Sequence, residues 1–193
     1  MIPFSPIFKN FDFVTRAYQL MFVKQMEWTV MPIIKPSYEL LQAAIEKNVI
    51  ASGFQKVTAD FRDEIVSKAD FWNRRNLNLN RSIVLLEINQ TLKVDELINH
   101  LQTIKLKLGK VTGYVPFFNE VGMQVVVYAS NMVAGAIQLK PVDTINNQRA
   151  LIQRVFIIDE RNGQYRCAQT VMQTITGKIQ QGIHQTIVDE MCH

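Results

Sequence analysis

Asn162-Gly163 divides residues 155–168 of the chain (VFIIDERNGQYRCA) into two apolar-rich runs. This pattern is the strongest short-range signal of a β-hairpin, because both residues tolerate the positive φ that a two-residue type I′ turn requires. Such a turn predicts that Ile158 pairs with Cys167, and it fixes the rest of the register. The other predicted pairs are Phe156 with Gln169 and Asp159 with Arg166. Side-chain alternation then puts Phe156, Ile158, Tyr165 and Cys167 on one inner face.

Other strand-like runs surround this hairpin. Residues 83–88 (IVLLEI) are apolar enough for a strand that is buried on both faces. Residues 123–130, 134–139, 151–158 and 164–172 follow, and we interpret them as a mostly antiparallel meander with a loop at 141–148. The sequence therefore predicts a curved sheet of about five strands.

Helical spacing dominates the remaining segments. A helix that starts near Pro36 has an apolar stripe and ends at Ser52-Gly53, and a second helix covers residues 94–108. A third runs from Thr174 to Met191, with isoleucines spaced by four residues. The spacing also predicts helices over 11–31 and over 58–72. The apolar positions of three of these helices are Tyr38, Leu41, Ile45 and Val49; Phe61, Ile65, Ala69 and Trp72; and Ile175, Ile179, Ile183, Ile187 and Met191.

These elements indicate an α+β fold, with N-terminal helices, a curved mostly antiparallel sheet and a C-terminal helix packed on the sheet. The order is similar to that of cystatin-like and NTF2-like domains, as an analogy of element order alone. We expect an aromatic-rich helical arm over residues 1–34 and one domain over 35–193.

Composition limits the class of protein. The chain has 193 residues, of which 48% are hydrophobic and 20% charged, so it is neither a disordered tail nor a multi-span membrane protein. We expect no transmembrane span and no secretory signal. Cys167 and Cys192 offer no disulfide framework, so a reducing, cytoplasmic location is expected.

Catalytic motifs are scarce. None of the three histidines, His100, His184 and His193, lies in a recognisable nucleophile or triad context. His100 neighbours polar residues on its helix, which predicts a solvated side chain. His184 with Cys192 and His193 matches no closed zinc site. Enzyme activity is therefore not indicated, and no cofactor or metal is expected.

The N-terminal arm has more aromatic surface than a solvent-exposed segment should carry. Packing on the chain's own sheet is one explanation. A subunit or partner interface is the second, and attachment to a membrane surface is weaker because the polar side lacks lysines. The predicted interface residues are Phe4, Phe8, Phe11, Tyr18, Phe22 and Trp28. The leading hypothesis is a non-enzymatic structural or adaptor protein that oligomerises or docks on a larger assembly.

Two other hypotheses remain. The first is a small-ligand or enzymatic pocket between the sheet and its helices, lined by Phe117, Phe118, Tyr128 and Met132. The second uses the basic region 74–110 to hold a nucleic-acid backbone or another anion. Its contact residues would be Arg74, Arg75, Arg81, Lys105, Lys107 and Lys110, although lysines at a helix C-terminus also simply complement the helix dipole.

Overall fold

The fold is known from a computed structural model, which describes residues 28–58, 62, 64–76, 79–111, 120–132, 151–169 and 177–192. The described elements, in chain order, are β1 (Trp28–Pro32), α1 (Tyr38–Ala51), β2 (Gln55–Lys56), β3 (Lys68–Asn76), β4 (Leu79–Leu92), α2 (Val94–Val111), β5 (Glu120–Met132), β6 (Leu151–Asp159), β7 (Gln164–Gln169) and α3 (Gly177–Met191). The α+β class is confirmed. The predicted strand 134–139 and the loop 141–148 lie outside the described residues.

The described strands form one mixed sheet of seven strands, compared with about five predicted, in the order β1-β7-β6-β5-β4-β3-β2. The three central strands β4, β5 and β6 run parallel, and the strands on both sides join them antiparallel. Antiparallel pairs thus predominate, as predicted. The predicted meander is wrong for β5 and β6, since it would place the predicted strand 134–139 between them, whereas β5 pairs directly with β6 in parallel. Parallel neighbours need a crossover connection, and between β4 and β5 that connection contains α2.

Two cores cover the two faces of this sheet. On one face α2 packs through Leu97, Leu101 and Ile104, and we call this the α2 core. On the other face α1 and α3 pack side by side over the sheet, and we call this the α1/α3 core. The helical stripes predicted from sequence are confirmed at Tyr38, Leu41, Ile45, Val49, Ile183, Ile187 and Met191. Because both faces are covered, the central strands are apolar on both sides.

The α1 helix begins after Ser37, whose side chain accepts a hydrogen bond from the backbone N–H of Leu40 at 3.3 Å. A serine in this position satisfies one of the N–H groups that the first helical turn leaves unpaired. The helix ends at Ser52-Gly53, as predicted, and Gly53 has a positive φ of 79°.

The predicted helix over 58–72 is wrong from Lys68 onward, because β3 occupies residues 68–76. Phe71 belongs to the α2 core and the next residue, Trp72, to the α1/α3 core. Consecutive large side chains on opposite faces are typical of a strand covered on both sides. The predicted helix over 11–31 likewise ends in a strand, since Trp28–Pro32 pairs with β7. Residues 1–27 lie outside the described part of the chain.

The β6–β7 hairpin is confirmed, with a different register. Ile158 lies opposite Tyr165 and Phe156 opposite Cys167, which is two residues away from the predicted pairing. The turn has four residues instead of two, because the Asp159 carboxylate accepts hydrogen bonds from the backbone N–H of Asn162 at 3.2 Å and from its amide at 2.7 Å. A shift of two residues preserves the face of every side chain. The four residues predicted for the inner face therefore all lie in the α1/α3 core.

Candidate functional site

The densest group of charged side chains in the described chain lies on the α1 side of the sheet, where β3 begins and β4 approaches its carboxyl end. We call it the Asp70–Glu87 cluster; it comprises Tyr38, Glu39, Gln42, Lys56, Lys68, Asp70 and Glu87. The cluster joins α1 to the neighbouring strands β2, β3 and β4, on the sheet face that α1 covers.

Asp70 is the centre of three interactions. Its Oδ2 atom accepts a hydrogen bond from the Tyr38 hydroxyl at 3.3 Å and another from the Gln42 amide. Its Oδ1 atom lies 2.8 Å from the ammonium group of Lys56 on β2. The Asp70 side chain is only 12% exposed. Three elements, α1, β2 and β3, thus fix one nearly buried carboxylate.

Glu87 is the second nearly buried carboxylate, on the neighbouring strand. It lies opposite Lys68 in the β3–β4 register, and their charged groups are 3.2 Å apart. The Ser67 hydroxyl donates a hydrogen bond to its Oε2 atom at 3.0 Å. Asp70 follows Lys68 by two residues, so the two carboxylates lie on the same face as diagonal cross-strand neighbours.

The two lysines form the solvent side of the cluster. Both side chains are about half exposed, at 47% for Lys56 and 53% for Lys68. The Lys68 ammonium also lies 4.8 Å from the centre of the Tyr38 ring and 3.7 Å from Glu39. The ammonium groups are solvated but their carboxylates are nearly buried, so a lysine leaves its carboxylate at little cost only when another cation replaces it.

The electrostatics of the cluster favour charged lysines and a neutral tyrosine. Hydrogen bonding to Glu87 raises the pKa of Lys68, and hydrogen bonding to Asp70 raises the pKa of Lys56. Burial, followed by the negative charge of Asp70, raises the pKa of the Tyr38 hydroxyl well above its usual value. Tyr38 is therefore a hydrogen-bond donor at neutral pH and has no role as a base.

Sequence reasoning missed this cluster, although one signal for it was present. Glu87 interrupts an otherwise apolar strand, and a charged side chain within a buried strand needs a partner. That partner is Lys68, which lay in a segment predicted to be helical. Because this segment was assigned helical spacing, the cross-strand pair of Lys68 and Glu87 was not recognised.

The predicted interface residues Phe4, Phe8, Phe11, Tyr18 and Phe22 lie outside the described residues. Trp28 is the first residue of β1 and is paired in register with Ala168 of β7. The last residues of the predicted arm are thus part of the sheet itself.

The structure divides the predicted basic region between the two faces of the sheet. Arg74 and Arg81 are cross-strand partners on the α1/α3 side, where Arg74 donates a hydrogen bond to the carbonyl of Ser52 at 2.7 Å. Arg75 alternates to the opposite face. Lys105, Lys107 and Lys110 belong to α2, which packs on that opposite face. The backbone thus places these six residues on two sides of the sheet, and an anion-binding role for them stays a prediction.

Two residues of the predicted pocket, Tyr128 and Met132, lie on opposite faces of the sheet. Tyr128 lies in the α1/α3 core, where its ring meets the Tyr38 ring edge to face at 5.8 Å between centroids. Met132 lies in the α2 core, on the other side of the sheet. Phe117 and Phe118 lie outside the described residues.

A second polar group joins β7 to α3. The hydroxyl of Tyr165, which is fully buried, lies 2.7 Å from Nδ1 of His184. Burial raises the pKa values of the Tyr165 hydroxyl and of the Cys167 and Cys192 thiols, so both thiols are protonated and poorly nucleophilic at neutral pH. His100, which was expected in solvent, is buried on α2 instead.

Within the described parts of the chain, no three His, Cys, Asp or Glu side chains are grouped as ligands for a metal ion. None of the described helices is long and apolar enough to cross a membrane. No known family matches the chain, and no curated protein or solved structure is significantly similar to it.

Proposed function

We propose that this protein binds a phosphate-bearing ligand together with a divalent cation at the Asp70–Glu87 cluster. The observation that supports the proposal is the pair of nearly buried carboxylates, on adjacent strands and on one face, each neutralised by a half-exposed lysine. Ligand binding or enzyme activity was an alternative that the sequence left open, but the residues of this cluster differ from those of the predicted pocket.

The chemistry of the two carboxylates is the reason to expect a divalent cation. Asp70 and Glu87 need a positive counter-charge because they are largely removed from water. Mg²⁺ is commonly held by one or two carboxylates, with water and substrate phosphate oxygens completing its coordination. Two protein carboxylates therefore suffice, and a third ligand from the chain is not required.

The two lysines are the reason to expect a phosphate-bearing ligand. A cation that binds Asp70 and Glu87 would release the ammonium groups of Lys56 and Lys68 at the exposed side of the cluster. Two unpaired ammonium groups beside a divalent cation attract an anion, and a phosphate oxygen can contact both cation and lysine. The same arrangement would stabilise negative charge that develops during phosphoester cleavage.

Isothermal titration with MgCl₂ and MnCl₂ tests the cation site directly. We expect wild-type protein to bind one ion and both Asp70→Asn and Glu87→Gln to lose at least tenfold in affinity. Glu46→Gln is the matched control, because Glu46 also pairs with Lys56 but lies at the exposed rim. Absence of binding by wild-type protein at millimolar cation, or unchanged binding by Glu87→Gln, contradicts the proposal.

The phosphate part has its own measurement. Bis(p-nitrophenyl) phosphate serves as the probe, with binding and release of p-nitrophenol both followed in the presence of Mn²⁺. Lys56→Ala and Lys68→Ala should weaken binding of this probe while they preserve or strengthen binding of the cation alone. Equal loss of both would show that the lysines act only in folding.

Assembly through the N-terminal segment is a second candidate function. One observation favours it: among the described residues β1 pairs only with β7, so β1 is an edge strand directly preceded by the aromatic-rich segment 1–27. An edge strand presents unpaired backbone groups to another chain. Because β1 starts at Trp28, a chain that lacks residues 1–27 retains every described strand.

Light scattering compares the mass of that shortened chain with the mass of the full chain. A smaller oligomer after truncation supports assembly through the segment. A full-length chain with Phe4, Phe8 and Phe11 replaced by serine is the control for a nonspecific effect of truncation. The same number of subunits in all three proteins would exclude self-assembly through this segment.

A further inference from the structure

A hydrogen bond whose geometry depends on the protonation of a histidine joins α3 to β7. The Tyr165 hydroxyl and His184 Nδ1 are 2.7 Å apart, and their rings lie at 5.6 Å between centroids. Ile183, Ile187 and Met191 add apolar contacts, and the Met191 carbonyl accepts backbone hydrogen bonds from Ile34 and Lys35, just beyond β1, at 2.7 and 3.3 Å. The Tyr165–His184 bond is partly buried, and it is the polar contact of α3 that changes with pH.

Neutral His184 fits this contact and protonated His184 does not. A neutral imidazole with its proton on Nε2 accepts a hydrogen bond from the Tyr165 hydroxyl at Nδ1. Protonation places a second proton on Nδ1, so the Tyr165 hydroxyl must become the acceptor at this partly buried site. The hydroxyl hydrogen then needs another acceptor, and the neighbouring Cys167 sulfur is a weaker acceptor than imidazole, so the change costs free energy.

The groups around His184 increase this cost. Arg154 on β6 is the charged group that acts on the imidazole, and its positive charge opposes protonation. Tyr165 and Cys167 on β7 are buried and neutral, as is Cys192 beyond the end of α3. On α1 the Asn48 amide donates a hydrogen bond to Thr186 of α3 at 3.2 Å. On α3 itself Asp189 and Glu190 are exposed.

We infer that the Tyr165–His184 bond is an acid-sensitive latch, and that protonation of His184 releases α3 from the sheet. The exposed product is the apolar face of α3 and of β6–β7 beneath it. This inference is independent of the Asp70–Glu87 cluster, which lies under α1.

The direction of the pH dependence follows from the direction in which the pKa of His184 is shifted. Burial, followed by the charge of Arg154, lowers the pKa of His184 below its usual value near 6.5. The neutral form is therefore the one that folding favours. Its contribution to stability is complete above about pH 6.5 and is lost as the pH falls through the lowered pKa of the folded state.

Hydrogen exchange of α3 amides at pH 7.5 and 5.0 tests the latch, with rates corrected for intrinsic exchange. In wild-type protein α3 should lose protection at pH 5.0 while α1, which contains no histidine, keeps it. The matched variant is His184→Asn, whose amide oxygen replaces the Nδ1 acceptor and does not titrate. This variant should keep α3 protected at both pH values.

Two results would overturn the inference. One is an equal loss of α3 protection in wild-type and His184→Asn protein, and the other is no loss in wild-type protein. An NMR titration of the wild-type histidines gives an independent answer if the variant does not fold. A His184 pKa at or above 6.5 would show that the folded state does not resist protonation.

Discussion

The ammonium group of Lys56 lies 2.8 Å from the Oδ1 atom of Asp70. Lys56 is on the two-residue strand β2 and Asp70 is near the start of β3, but their backbones are not direct register partners. The lysine thus reaches along the sheet to neutralise a carboxylate that α1 covers. Its ammonium also lies 5.6 Å from the centre of the Trp72 ring. A short edge strand is in this way tied to the centre of the candidate site.

Asp70→Asn should lower the free energy of unfolding by about 1.5–3 kcal/mol, because hydrogen bonds to a charged group are stronger than neutral ones. The substitution leaves Tyr38, Gln42 and Lys56 without the carboxylate that they share. Glu46→Gln, which affects only the exposed partner of Lys56, should cost less than about 0.5 kcal/mol. Urea denaturation followed by circular dichroism measures both. Equal losses of stability in Asp70→Asn and Glu46→Gln would mean that the Asp70 and Glu46 carboxylates are equally solvated.

Leu41→Ala should cost about 2–5 kcal/mol, the usual range for removal of a fully buried leucine. Its neighbour Leu40 is 53% exposed on the outer side of α1, so Leu40→Ala should change stability by less than about 0.5 kcal/mol. Thermal and urea unfolding of the two variants compare the same chemical change at adjacent positions. Similar losses would show that another surface covers Leu40.

Ser37→Ala should destabilise the protein by about 1 kcal/mol, because it removes the acceptor for the backbone N–H of Leu40. Ser37→Thr keeps a hydroxyl at this position and should recover most of the loss. The urea midpoints of the wild-type, Ser37→Ala and Ser37→Thr proteins measure these differences. If the alanine variant is as stable as the wild-type protein, water satisfies the N–H groups at the N-terminus of α1 instead.

Gly163→Ala should cost about 1–2 kcal/mol, since Gly163 has φ +57° and an alanine pays a steric penalty in that region. Space is not the cause, because an added Cβ would lie 3.6 Å from the carbonyl of Ile33, an ordinary contact. Gly163→Asn should be milder, as asparagine enters the left-handed region more readily. Equal stability of the glycine and alanine proteins would contradict a strained turn.

In the β6–β7 hairpin, local sequence predicted the turn and the buried face but not the register. The Asn-Gly pair located the turn, and alternation assigned the inner face. The exact register depended on Asp159, whose side chain binds Asn162 and lengthens the turn by two residues. A side-chain hydrogen bond of this kind competes with the shorter turn, and no pattern of apolar residues reports it.

The prediction of a helix over residues 58–72 failed for a different reason. Ala69 and Trp72 match helical spacing, yet Phe71 and Trp72 enter two separate cores. A strand that is covered on both faces loses the polar alternation by which strands are recognised. The charged pair of Lys68 and Glu87 was therefore not predicted either, because these two residues are close only when β3 lies beside β4.

Local chemistry in the sequence was sufficient for the apolar stripes of α1 and α3, the buried character of β4 and the inner face of the hairpin, since each depends on spacing along one element. The tertiary structure alone decided the parallel direction of β4, β5 and β6, the pairing of Asp70 with Lys56, and the contact of Tyr165 with His184. These features join residues that are far apart in the chain, and their energies depend on which faces the two cores cover. Periodicity states which side of an element is buried, but it carries no information about the neighbour against which that side packs.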